Sequence, residues 1–240
     1  MDLFELGRLL HSTVGIVALI AFWIAASAAK GSDLHRRTGR VYLLALIGVM
    51  TLSSLMVAGG ALQGDPGVAI FLAFLISIVG TASWLMWFSI RFKREEGRLH
   101  GIIYRGLASW LVIAGVALLA LGVARRVPLI MLLSSLGVGF GLNMWRLALA
   151  RPRGERWWIA QHMNGVMLNF IATHDSFLAL GIGTVVPELR QPVERMLIAA
   201  GVITIGLALR VAASRRFRVS PRRPPLSHSP GTGIPMADSP

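Results

Sequence analysis

Seven apolar stretches of about 20 residues or more follow one another along this chain, at 9–29, 41–62, 68–90, 102–124, 127–150, 157–185 and 193–213. A helix rises about 1.5 Å per residue, so each stretch is long enough to cross about 30 Å of hydrocarbon. Hydrocarbon offers no partner to a free backbone N–H or C=O, and these runs show no strand-like alternation, so each is read as a helix. With 55% hydrophobic and only 15% charged residues, a single water-soluble globule is excluded, since such domains carry about 25% charged residues. The expected fold is all-α, an integral membrane bundle of seven transmembrane helices over residues 1–213. Residues 214–240 change to Arg, Pro, Ser and Gly without periodicity and read as a disordered basic tail.

The connections follow from local chemistry. Gly64-Asp65-Pro66-Gly67 reads as a turn. At Val127-Pro128 a helix can begin, because proline loses no hydrogen bond in the first turn.

Charge orients the bundle. Of the 24 Lys and Arg residues, 19 fall on alternate connections and the tail, among them Lys30, Arg36, Arg37, Arg40, Arg98, Arg105, Arg151, Arg153, Arg156, Arg210 and Arg216. Only Arg8, Arg125, Arg126, Arg190 and Arg195 fall on the other side. Cytoplasmic loops retain positive charge, which puts the N-terminus outside and the C-terminal tail in the cytoplasm. The first run has no basic leader, since Asp2 and Glu5 offset Arg8, and it reads as an uncleaved helix. The net charge of +13 sits at membrane edges, where anionic lipid headgroups are its natural partner and nucleic acid is not.

Tyr42, Tyr104, Trp87, Trp145, Trp157 and Trp158 fall near predicted inner ends and read as an interfacial belt. Ser134, Gly137 and Gly141 have the spacing of a close helix-packing face.

Chemistry is sought in the ionisable groups inside the apolar runs, because each costs several kcal/mol unless paired or hydrated (about 3 at a helix centre). They are His11, His162, His174 and Asp175; no Lys or Arg falls in the middle of a run, while His35 and His100 fall in basic loops and His228 in the tail. The run at 157–185 is the most polar. Asn169, Thr173 and Ser176 lie within about 40° of His162 around a helix, forming one stripe, while Asn164 and Asp175 share a second face. A helix polar on several sides belongs in the bundle centre.

Two chemistries stay open. The first is axial ligation of haem b by His162, with His35 or His100 reaching it from a loop, or by an outer pair of His11 and His174. Arg36, Arg37 and Arg40 are then candidate contacts for its propionates or for anionic headgroups. His162 and His174 point about 120° apart, which argues against two haems stacked along one helix face. The second is a proton relay through the adjacent His174 and Asp175, serving a proton-coupled or small-solute transporter. A non-catalytic assembly factor is a third class. A His/Asp metal site is disfavoured by the differing depths and faces of these residues. The chain has no cysteine, no His-Glu-x-x-His and no Gly-x-Ser-x-Gly, so thiol chemistry, iron–sulfur clusters and these two hydrolase patterns are excluded.

His11, the loop Leu34-His35-Arg36-Arg37-Thr38-Gly39-Arg40-Val41-Tyr42, and His162-Met163 followed by Met167 and Phe177 resemble a family of bacterial multi-pass inner-membrane proteins. That family carries a domain of unknown function and a His-Arg-Arg-x-Gly-Arg-x-Tyr loop after its first helix. The likeness covers roughly residues 9–213, and Thr173-His174-Asp175 departs from the more apolar run expected there. It implies a bacterial inner-membrane location and supplies no reaction. A more distant likeness to b-type membrane cytochromes rests on the helical histidines alone.

Overall fold

The computed structural model describes residues 3–61, 66–149, 156–181 and 185–217. Eight α-helices account for most of them: α1 (Leu3–Ser27), α2 (Asp33–Ala61), α3 (Pro66–Arg91), α4 (Glu96–Leu99), α5 (Ile102–Arg125), α6 (Pro128–Leu149), α7 (Trp157–Asp175) and α8 (Pro192–Arg216). No strand occurs among the described residues. Gly64 and Asp65 of the expected turn, Arg151, Arg153 and the tail from residue 218 lie outside the described residues. Ser214, placed in the tail by composition, is still helical, because α8 runs on to Arg216.

Six helices, α1, α2, α3, α5, α6 and α8, are long and apolar enough to cross a membrane. The expected seventh, α7, is not among these six and is less apolar than they are, with Gln161, His162, Asn164, Asn169, His174 and Asp175 among its 19 residues. The molecule is a polytopic helical membrane protein. Large apolar side chains stand on its perimeter, among them Ile113 at 68% and Leu44 at 67% exposure, an outward face suited to acyl chains.

The helix ends follow the sequence. Gly31 takes φ +82° in the turn between α1 and α2, where a side chain would be strained. Arg126 takes a left-handed φ of 53° to close α5, and Pro128 then opens α6. Pro192 opens α8 after an extended Gln191.

Three antiparallel pieces build the bundle: the α1–α2 hairpin, the α5–α6 hairpin, and a central pair of α3 and α7 to which α8 adds. One apolar core joins α3, α5, α6 and α7 around Phe74, Leu85, Leu111, Phe140 and Leu168. A second joins the α1–α2 hairpin to α7 and α8 around Phe22, Tyr42, Phe170 and Val202. Small residues set the closest approaches, as the glycine spacing on α6 indicates. A Cβ on Gly141 would lie 2.8 Å from the Ala108 carbonyl, and one on Gly137 2.6 Å from the Phe74 ring. On α7, a Cβ at Gly165 would lie 2.6 Å from the Ala82 carbonyl.

Candidate functional site

The polar side chains of α7 meet a different neighbour on each face. The stripe of His162, Asn169 and Thr173 faces α3 and α2. His162 Nδ1 lies 2.9 Å from the Met86 carbonyl, Asn169 Nδ2 donates to Ser83 Oγ at 3.2 Å, and the Thr173 hydroxyl meets Tyr42 at 3.2 Å. The face shared by Asn164 and Asp175 looks to α8. Arg210 Nε donates to Asn164 Oδ1 at 2.7 Å and its Nη2 to the Ala160 carbonyl at 3.3 Å, while Asp175 faces Arg195. A third face carries Gln161, whose amide nitrogen donates to Tyr104 Oη and to His100 Nε2, each at 3.1 Å.

The basic connections converge at one end of the bundle. His35 Nδ1 lies 2.9 Å from the Ala25 carbonyl, and Lys30 Nζ donates to the same carbonyl at 3.2 Å and to that of Ala26 at 2.5 Å. His162 is within electrostatic reach of both His35 and Lys30, and Lys30 within reach of Arg216. Lys30 stands at an exposed position, yet the partial burial of its side chain and, second, Arg216 hold it below the ordinary lysine pKa.

The tautomers of His35 and His162 follow from their partners. A backbone carbonyl only accepts, so each Nδ1 carries a proton, and in the neutral form of either ring Nε2 presents the lone pair. Neither Nε2 has a hydrogen-bond partner among the described residues. Metal-ligating histidines are commonly oriented in this way, with one N–H held by a carbonyl and the other nitrogen left to bind.

His174 is arranged differently. The Trp23 indole can only donate, and it donates to His174 Nε2 at 3.0 Å, while His174 Nδ1 donates to the Phe170 carbonyl at 2.8 Å. Both nitrogens are therefore engaged. His11 Nδ1 meets Ser53 Oγ at 3.2 Å, and about 18 Å of α1 separates His11 from Trp23. The structure thus does not bring His11 and His174 together. Nor does it pair His174 with Asp175, whose Oδ1 is buried without a hydrogen-bond partner, as are Glu194 Oε2 and Arg195 Nε. Arg36, Arg37 and Arg40 are exposed, and Arg36 is bonded to Asp33 at 2.5 Å and to the Gly31 carbonyl at 2.6 Å.

Several readings from sequence change. Tyr42 and Tyr104, expected in the headgroup layer, are 2% and 0% exposed inside the protein. His100, expected as a loop residue in water, is buried between Tyr104 and Trp157, with Nδ1 on the Glu96 carbonyl at 2.9 Å. Arg210, counted with the basic tail, lies inside an apolar span and ties α8 to α7. Their signal in the sequence was weak: a polar residue near a helix end reads as solvated until the neighbouring helix is known.

Among the described residues no group of three or more His, Cys, Asp or Glu is placed to hold a metal ion. Comparison with known proteins finds no relative: no protein-family model, no curated protein and no solved structure matches the chain.

Proposed function

We propose that this protein is a seven-span membrane haem protein, with its N-terminus outside, its tail in the cytoplasm and haem b held between His35 and His162 at the basic end. The observation that carries the reading is the pair of imidazoles whose Nδ1–H groups are fixed by the Ala25 and Met86 carbonyls while neither Nε2 has a hydrogen-bond partner among the described residues. Two protein ligands are too few for a bare zinc ion but suffice for haem, whose macrocycle supplies the other four nitrogens. Lys30, with Arg216 beyond it, supplies positive charge beside the pair for carboxylates. When bound, haem supplies one-electron chemistry at its iron. The protein's own part is to fix both rings in one tautomer and to keep them inside the bundle.

The charge bias of the connections, with 19 of 24 Lys and Arg on alternate loops and the tail, supports this orientation. The likeness of the 34–42 loop to that of bacterial inner-membrane proteins supports the location.

The test is the absorption spectrum of detergent-purified protein made with adequate haem supply. Wild type is expected to show a Soret band that shifts on reduction, His35→Ala and His162→Ala each to lose it, and His174→Ala to keep it. A colourless, folded wild type removes the reading, as does a Soret band unaffected in His35→Ala/His162→Ala. A reporter fused after the tail and found in the periplasm overturns the orientation.

A further inference from the structure

α5 and α6 leave an open groove of about 480 Å³ beside the α4–α5 junction. Gly97, Gly101 and Gly106 line it, with Arg105 and Ser109 along α5 and Trp145 from α6 as the facing wall. No acidic residue lines it.

Gly106 is the informative residue. Glycine inside a helix is about 1 kcal/mol less favourable than alanine. On the same two helices Gly115, Gly122, Gly137 and Gly141 have a packing reason, since a Cβ at each would press on a neighbouring helix at 3.0 Å or less, whereas Gly139 of α6, which does not line the groove, has none. At Gly106, and at Gly97, a Cβ would meet nothing within 4 Å. Packing within the protein therefore does not require glycine at these two positions, and its effect is to keep the groove floor low.

Three of the lining residues carry side-chain donors with no hydrogen-bond partner among the described residues: Arg105, Ser109 and Trp145. Serines on other spans, such as Ser54 and Ser135, bond back to the carbonyl four residues earlier at 2.8 and 2.7 Å. Ser109 does not. Arg105 and Ser109 are four apart, so they stand one above the other on α5. A set of donors around one cation, with no acid, is complementary to an anion.

We propose that the groove is a binding site for an anionic glycerophospholipid of the leaflet at this end. Its phosphate sits on Arg105 and Ser109, and its glycerol backbone lies over Gly106 against Trp145. The site is independent of His35 and His162, and it stands whether or not haem binds.

Native mass spectrometry of the purified full-length chain, titrated with phosphatidylglycerol or phosphatidylcholine, tests it. Wild type is expected to retain phosphatidylglycerol and not phosphatidylcholine. Arg105→Gln is expected to weaken retention by about tenfold, the loss of a charge-assisted contact to phosphate, and Ser109→Ala by less. Gly106→Leu is expected to block the site while melting no lower than wild type, which separates lost binding from lost folding. Equal retention of both lipids overturns the proposal, as does retention undiminished in Arg105→Gln and Gly106→Leu, or no retention by wild type.

Discussion

The two halves of α7 carry similar residues, each with a histidine, an asparagine and a partner arginine on α8, yet they are held differently. In the half near Trp157, Gly165 brings α7 against the α3 backbone, Asn164 is bonded by Arg210, and His162 has one nitrogen fixed and one open. In the half near Asp175, both His174 nitrogens are bonded, and Asp175 and Arg195 face each other with one buried atom of each lacking a partner. There the helix also widens, passing into a π-helical turn over Ser176–Gly181. Wider turns of this kind recur at functional sites, but here the imidazole beside the turn is fully committed. An ionisable residue inside an apolar span therefore does not mark a binding site by itself. What separates His162 from His174 is the second nitrogen.

The sharpest way to break this contrast is to crowd each half. Gly165→Leu has to displace the backbone of α3, because its Cβ alone would lie 2.6 Å from the Ala82 carbonyl and 2.9 Å from the Met86 nitrogen. Overpacking of a closed interface costs about 1–3 kcal/mol, more where backbone is in the way, so this substitution is expected to have the largest effect here. It is also expected to disturb His162, whose partner is the Met86 carbonyl. Ser176→Leu, at an exposed position in the wider turn, is expected to change stability by less than about 0.5 kcal/mol. Thermal melts in detergent compare the two. Equal losses would mean that the halves are packed alike.

A middle-sized effect separates the two partners of the Arg210–Asn164 bond. Asn164→Leu leaves the guanidinium inside the span without the acceptor of its Nε–H, and stranding a buried charge is destabilising by about 3–5 kcal/mol where it is fully enclosed. Half-buried Arg210 is expected to lose less than that. Arg210→Met removes the charge together with its desolvation penalty and leaves only a neutral amide oxygen unbonded, at about 1–3 kcal/mol. Asn164→Leu is therefore expected to melt lower than Arg210→Met. The reverse ranking would show that Arg210 is held by water or headgroups rather than by α7.

The contrast also shows how far the sequence carries. Apolar runs located the six helices suited to crossing, and Val127-Pro128 the start of α6, since chain length and backbone satisfaction leave few alternatives. The polarity of residues 157–175 marked the central helix for the same reason. Periodicity placed Asn164 and Asp175 on one face, and that face does look to α8. It carried no information about which neighbour each face meets. Gln161, His100 and Tyr104 come from three separate segments, and nothing local distinguishes a loop histidine in water from one sealed under Trp157. His35 and His162, within electrostatic reach of each other, lie over a hundred positions apart on α2 and α7, and nothing local in either segment reports the other. Arg210 is the converse case, a charge four residues from Ser214 that sequence alone assigns to the basic edge.

The smallest expected effect lies at that turn and concerns pH. Lys30 holds the last carbonyls of α1, where a cation is favoured, but burial and then Arg216 keep its pKa below the ordinary lysine value. The folded protein therefore releases this proton at lower pH than the unfolded chain does. Between those two values the unfolded state binds more protons, so stability rises as pH climbs through the window. Below the window the penalty of carrying the charge is present in full, and above the ordinary lysine value it is gone. Lys30→Met is expected to remove this alkaline gain from melting curves taken between about pH 8 and pH 11. Arg216→Gln is expected to reduce it only in part, since burial is the larger cause. An unchanged slope in Lys30→Met would mean that water reaches Lys30 freely.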